Sequence, residues 1–102
     1  MKVKSDDKLQ YEAVAVEWLI QMNSKLKNVL KKNNVPKNIQ EEICGEFSFD
    51  LAMLQDQGKI KTGSQAYRPV ICFEDNEQQL VFASDDKFQL HEYVYGVVEE
   101  LF

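Results

Sequence analysis

The sequence predicts one small α+β domain with two N-terminal helices, a β-hairpin with room for a third strand, and a C-terminal helix. A length of 102 residues suits a single domain. A hydrophobic fraction of 44% is enough to close a core, which argues against disorder. Apolar residues recur at helical spacing in the first half of the chain, and short β-branched runs follow.

The first helix is predicted over residues 6–32. Acidic side chains lie in its first half and lysines in its second half, which complements the helix dipole at both ends. The expected core stripe has steps of 4, 3, 4 and 3 and consists of Ala15, Leu19, Met22, Leu26 and Val29. Asn33 to Pro36 should end the helix, because asparagine tolerates turn geometry and proline disfavours a helical residue before it.

The second helix is predicted over residues 37–57. Its largest apolar residues recur every three or four positions and are expected to face the core: Ile39, Ile43, Phe47, Leu51 and Leu54. Gly58 follows directly, and a left-handed glycine cap is expected to end the helix there.

Three carboxylates, Glu42, Glu46 and Asp50, form a row on this helix, which we call the acidic ridge. The ridge lies within an apolar arc that includes Phe49 and Met53. Burial of three unpaired carboxylates costs several kcal/mol each. The ridge therefore faces solvent, pairs with a cation such as the single arginine Arg68, or contacts a partner.

A β-hairpin is predicted over residues 66–83, after a polar loop at residues 59–65. Its strands are the β-branched runs at residues 70–73 and 80–83, and residues 75–77 supply a turn. An isolated two-stranded ribbon is only marginally stable. The hairpin must therefore pack on the helices, gain a third strand, or pair across an interface.

The last element is predicted as a helix over residues 85–101, with Ser84 as its N-cap. Residues 92–98 are rich in β-formers, so a third strand there is the alternative.

Charge is unevenly distributed along the chain. The formal net charge is −5, but residues 1–37 carry +4 and residues 38–102 carry −9. An acidic surface repels nucleic acid and anionic lipid and attracts basic proteins. We therefore expect neither a nucleic-acid nor a membrane partner.

No set of residues indicates catalysis, a cofactor or a metal. His91 is the only histidine, and Tyr95 stands where the H-E-x-x-H zinc pattern needs a second one. The glycines match no phosphate-binding loop. The first residues lack the apolar stretch of a signal peptide, so we expect a cytoplasmic protein in which Cys44 and Cys72 are reduced core residues.

The general plan, together with the stretches FSFDLAMLQDQG (47–58) and RPVICF (68–73), resembles the immunity proteins of bacterial toxin and immunity pairs, in particular those of contact-dependent growth inhibition. The resemblance implies a cognate toxin partner, basic and of nuclease type, that is neutralised without a cofactor. Because no catalytic set of residues is present, we expect a protein that is not an enzyme, and we expect it to act as a monomer or weak dimer.

On this hypothesis the partner-binding residues form an acidic and aromatic surface: Glu42, Glu46, Phe49, Asp50, Met53, Asp75, Glu77, Asp85 and Asp86. Alternatively, Phe49 and Met53 are ordinary core residues. Two other functions stay open: a dimeric acidic secretion chaperone or adaptor, and an acidic nucleic-acid mimic.

Overall fold

The computed structural model describes residues 2–3, 8–83 and 88–102, and its elements confirm the predicted α+β class. In chain order they are β1 Lys2–Val3, α1 Lys8–Lys32, α2 Lys37–Gln57, β2 Ile60–Thr62, β3 Gln65–Tyr67, β4 Phe73–Glu74, β5 Gln79–Val81, a 3-10 helix Leu90–Tyr93, and α3 Val94–Leu101.

The connection between α1 and α2 follows the sequence prediction. Lys31 and Lys32 occupy the last turn of α1, where they complement the helix dipole. Asn34 adopts a left-handed conformation with φ of 61°, and Pro36 precedes the first residue of α2. This short turn sends α2 back along α1 so that the two helices pack together.

The core lies between the three helices and β5. On α1 a row of residues spaced by four is buried: Tyr11, Ala15, Leu19 and Asn23. β5, the 3-10 helix and α3 complete the core with Val81, Leu90, Val94, Val97 and Val98. The predicted α1 stripe is therefore wrong at Val29, which is 52% exposed. After Leu19 the buried position on α1 is Asn23, four residues on, and the helix face that carries Val29 is left open to solvent.

α2 packs through a different face from the predicted one. Its buried residues are small or polar: Gln40, Cys44, Gly45, Ser48 and Ala52. Ile39, Phe47 and Leu54 are instead 37%, 54% and 43% exposed. Small side chains allow the helix backbones to approach closely, which accounts for the choice of this face over the bulkier one.

A buried polar cluster fixes α2 against α1. The Asn23 amide donates to the Leu19 carbonyl oxygen at 3.0 Å, and the Ser48 hydroxyl donates to Asn23 Oδ1 at 2.6 Å. Cys44 Sγ lies 4.0 Å from the Asn23 carbonyl oxygen. Because buried polar atoms are costly when unpaired, this cluster favours one register of the two helices.

The first sheet contains a hairpin at the predicted turn, but its strands are shorter than predicted, because residues 70–72 and 82–83 are not in strands. β4 and β5 are antiparallel, with Phe73 opposite Val81, and their turn is closed by Asp75 Oδ1, which accepts from the amides of Glu77 and Gln79 at 2.9 and 3.0 Å. The third strand is β1, parallel to β5, with Lys2 opposite Gln79. Residues 92–98 are helical, so the alternative of a strand there is wrong.

A second hairpin, β2–β3, covers the predicted polar loop at residues 59–65 and also residues 66–67, which were predicted to belong to the hairpin over residues 66–83. Ile60 pairs with Tyr67 and Thr62 with Gln65, across a turn in which Gly63 has a φ of +61°. All six strand residues are exposed. The prediction missed this hairpin because its strands have no buried side to produce an apolar alternation.

The ends of α2 and α3 differ from the predicted capping. Gly58 is extended, with φ −73° and ψ 154°, and not left-handed. A glycine is still required, because a Cβ at this position would overlap the Leu54 carbonyl oxygen. The last helical segment begins at Leu90, and Phe88 and Gln89 are not helical, so the predicted start at residue 85 is wrong. The predicted N-cap Ser84 lies outside the described residues.

Both cysteines are free thiols in different environments. Cys44 is buried beside α1, and burial raises the pKa of its thiol. Cys72 is exposed, so the expectation that both cysteines fill the core is wrong for Cys72. Its neighbour Ile71 accepts a hydrogen bond from the Tyr11 hydroxyl at 2.8 Å, which ties this segment to α1.

Alkaline pH should weaken the fold through Tyr11. Burial, followed by the nearby Asp56 and Cys72 groups, raises the pKa of the Tyr11 phenol above its ordinary value. An acid whose pKa is raised by folding stabilises the fold below its unfolded pKa, about 10 for tyrosine, and that contribution is lost as pH rises through the folded pKa. Tyr11→Phe should therefore lower the free energy of unfolding by about 1 kcal/mol at neutral pH, and by less at strongly alkaline pH.

Urea denaturation of the wild type and of Tyr11→Phe, at neutral and at strongly alkaline pH, measures the change in the free energy of unfolding. Tyr67→Phe, at an exposed position of β3, is the matched control and should change the free energy of unfolding little. If the free energies of unfolding of the wild type and of Tyr11→Phe differ by the same amount at both pH values, Tyr11 does not contribute to alkaline destabilisation.

Candidate functional site

The acidic ridge faces solvent on α2. Glu42, Glu46 and Asp50 are all exposed, and none forms an ion pair with another described residue. Arg68 follows β3 and is itself exposed, without an ion pair to the ridge, so the hypothesis of internal pairing is wrong for the described part of the chain. The ridge charges are therefore available to a partner.

α2 and α3 form an open groove, which we call the acidic groove, with a volume of about 490 Å³. Its carboxylates are Glu41, Glu42 and Glu46 on α2 and Glu99 on α3. Gly45, Tyr95 and Val98 supply the rest of the lining. Four carboxylates in one concave surface concentrate negative potential there.

Gly45 and Tyr95 determine how the two helices meet in this groove. A Cβ at Gly45 would lie only 3.2 Å from Tyr95 Cε1, so the tyrosine ring rests directly against the backbone of α2. The ring is nevertheless 57% exposed. The groove therefore presents a large aromatic surface surrounded by carboxylates.

Phe49 packs against Tyr95, one of the residues that line the groove. Its ring is 5.6 Å from the His91 ring, edge to face at 84°, and 5.6 Å from the Tyr95 ring at 31°. Phe49 is half-buried and packs against both the core and the Tyr95 ring. Met53, one turn further along α2, is also half-buried.

Asp56 anchors the segment that leads into α3. Asp56 Oδ2 accepts from the His91 backbone amide at 2.9 Å and lies 2.7 Å from His91 Nδ1. The Asp56 side chain is only 6% exposed. A carboxylate at the start of a helical segment satisfies an amide that has no partner within the helix, and it complements the helix dipole. The end of α2 therefore sets the position of Tyr95 and Glu99.

An apolar surface lies beside the ridge on α2. Ile39, Phe47 and Leu54 are the exposed large side chains that the sequence assigned to the core. The helix thus presents carboxylates and large apolar side chains to solvent together. Such a combination is typical of the centre and rim of a protein interface.

The predicted second acidic patch is only partly described. Asp75 is half-buried, with Oδ1 engaged in the β4–β5 turn, whereas Glu77 is exposed. Asp85 and Asp86 lie outside the described residues.

Sequence reasoning missed five lining residues: Glu41, Gly45, Tyr95, Val98 and Glu99. Tyr95 and Glu99 are four residues apart, so the helix predicted over residues 85–101 already places them on one face. The position of Gly45 against Tyr95 had no sequence signal, because it depends on how α2 and α3 dock.

No known protein family, curated protein or solved structure matches this chain. Among the described residues, no helix is apolar over a length that could cross a bilayer. Within the same residues, no three histidine, cysteine, aspartate or glutamate side chains converge in a way that could hold a metal ion.

Proposed function

We propose that this chain is an immunity-type inhibitor that binds and neutralises a basic toxin domain, of nuclease type, in the bacterial cytoplasm. The acidic groove and the ridge form the binding surface, and no catalytic step is involved. The observation that carries the proposal is that four groove carboxylates surround an exposed tyrosine and none of them has an ion-pair partner in the described part of the chain.

Electrostatics gives this surface its preference for a basic partner. Charge complementarity accelerates association and disfavours partners of like charge. A nuclease must hold a phosphate backbone, so its substrate path is lined with lysine and arginine. An acidic groove placed over that path would compete with the nucleic acid for the same cations.

Apolar contacts would supply the affinity that surface charges alone do not. Tyr95 and Phe47 are both more than half exposed, and aromatic side chains are frequent energetic anchors of interfaces. Both lie next to carboxylates, Tyr95 in the groove and Phe47 beside Glu46 in the chain. The arrangement matches a protein interface that has an apolar centre and a charged rim.

Affinity capture followed by charge reversal tests the proposal. We expect tagged chain, incubated with lysate of its source organism, to retain one basic protein at equal stoichiometry whose expression arrests cells unless this chain is co-expressed. Glu42→Lys combined with Glu46→Lys should raise the dissociation constant about a hundredfold at low salt, with a smaller effect at high salt.

Glu100→Lys is the matched control, because Glu100 is an exposed α3 carboxylate that does not line the groove. It should leave the affinity close to that of the wild type, and circular dichroism should show all variants folded. Unchanged affinity of the folded double variant would exclude the groove as the binding surface. Recovery of unfolded secretion substrates in place of a toxic protein would favour the chaperone alternative.

A further inference from the structure

The β2–β3 hairpin and its flanks, residues 58–72, form a segment of opposite charge to the rest of the second half of the chain. We call this segment the basic arm. It contains Lys59, Lys61 and Arg68 and no acidic residue, whereas residues 38–102 as a whole carry −9. All three cations are exposed. The arm is thus a local cationic surface on an acidic protein.

The strands of the arm project from the body of the protein. Every residue of β2 and β3 is exposed, and their extensive contacts are with each other. The radius of gyration is 15.4 Å, above the value of about 13 Å typical of a compact domain of this length. A two-stranded ribbon of this kind is only marginally stable by itself, so it gains most from packing against another surface.

The arm also exposes apolar side chains that such a surface could cover. Ile60 is 47%, Tyr67 57% and Val70 61% exposed. Cationic and large apolar side chains together complement the acidic groove, which offers four carboxylates and the Tyr95 ring. Lysine and arginine also interact favourably with the face of an exposed tyrosine.

The arm does not occupy the groove of its own chain. It leaves α2 at Gly58, and the nearest groove carboxylate on that helix, Glu46, is about 18 Å back along the helix axis. None of the arm residues lines the groove. A second copy of the chain carries the same arm, and its β2–β3 hairpin can enter the groove without bending back along α2, while residues 68–71 stay against the body of their own chain.

From this complementarity of charge and of exposed apolar side chains we infer that the chain forms a reciprocal dimer, in which the basic arm of each copy lies in the acidic groove of the other. The exchange is two-fold symmetric. Both arms are bound and both grooves are filled in the dimer, so no further copy can add to it. Self-association of this kind requires no toxin partner.

Charge-swapped variants test the dimer. The arm-reversed variant carries Lys59→Glu, Lys61→Glu and Arg68→Glu, and the groove-reversed variant carries Glu42→Lys, Glu46→Lys and Glu99→Lys. All six positions are exposed, so circular dichroism should show both variants folded. Analytical ultracentrifugation of the wild type from the micromolar to the millimolar range should show a monomer–dimer equilibrium.

Each variant alone should raise the dimer dissociation constant about tenfold or more, because its arm and groove then have the same sign. An equimolar mixture should restore a one-to-one dimer, because a negative arm meets a positive groove and a positive arm meets a negative groove. A wild type that stays monomeric throughout the range overturns the inference. The inference is also overturned if the arm-reversed variant still dimerises, or if the equimolar mixture of the two variants stays monomeric.

Two further measurements separate this inference from others. The arm-reversed variant keeps an intact groove, so loss of its dimer with retained binding of the basic toxin would support the dimer and leave the proposed function standing. A monomeric wild type that binds a single-stranded oligonucleotide through Lys59, Lys61 and Arg68 would replace the dimer by a nucleic-acid contact.

Discussion

Replacement of Asn23 by alanine is expected to lower the free energy of unfolding by about 2 to 3 kcal/mol. Asn23 is completely buried between α1 and α2, where it donates to Leu19 and accepts from the Ser48 hydroxyl. The substitution leaves that hydroxyl without its acceptor and opens a small cavity in the helix contact. Both effects act in the folded state, so the loss exceeds that of an ordinary surface change.

Urea denaturation followed by circular dichroism measures this loss. Asn28→Ala is the matched control, since Asn28 is exposed on the same helix, and its effect should stay within about 0.5 kcal/mol. Ser48→Ala removes the other partner and should also destabilise, because it leaves Asn23 Oδ1 without a donor. Equal stability of Asn23→Ala and the wild type would show that the buried cluster does not hold the two helices in register.

Asp56→Ala should cost about 3 kcal/mol of stability and also disturb the acidic groove. The side chain is nearly inaccessible to water and contacts both the backbone amide and the imidazole of His91. Its loss leaves the partly buried amide of His91 unpaired at the start of the segment that leads into α3. The Tyr95 ring should then lose its fixed position, because His91 and Tyr95 both pack against Phe49.

Thermal and urea unfolding give the stability loss, and the NMR resonances of Tyr95 and Phe49 report the groove. Asp50→Ala is the control on the same helix and should have little effect on either, because Asp50 is exposed. A variant Asp56→Ala with unchanged Tyr95 resonances would mean that α3 is positioned by its core contacts alone.

The extent of α1 and α2 was predictable because both helices have clear periodicity and a proline-containing turn between them. The buried face of α2 was not, since a pattern of large apolar residues pointed to Ile39, Phe47 and Leu54. Cys44, Gly45, Ser48 and Ala52 instead form the contact, and their small size carries no hydrophobic signal. Close helix approach is a property of the packed pair and not of either helix alone.

The candidate site was also predictable only in part, because half of it depends on how two helices pack together. Glu42 and Glu46 stood out because three carboxylates in an apolar arc require an explanation. Tyr95 and Glu99 come from a helix more than forty residues later, and their place depends on the contacts of Asp56 and Gly45. The basic arm is visible in the sequence as a stretch without acidic residues. Its projection from the body was not predictable, because it depends on both faces of the β2–β3 hairpin being exposed.

The short strand β1 has a kinetic consequence. Its parallel pairing joins residues 2 and 3 to residues 79 and 80, across most of the chain. The entropy of closing so long a loop must be overcome before this contact contributes any stability. Local contacts such as the α1–α2 hairpin and the β4–β5 turn can form much earlier, so β1 should join the sheet after the helices have docked and should be among the first elements to detach.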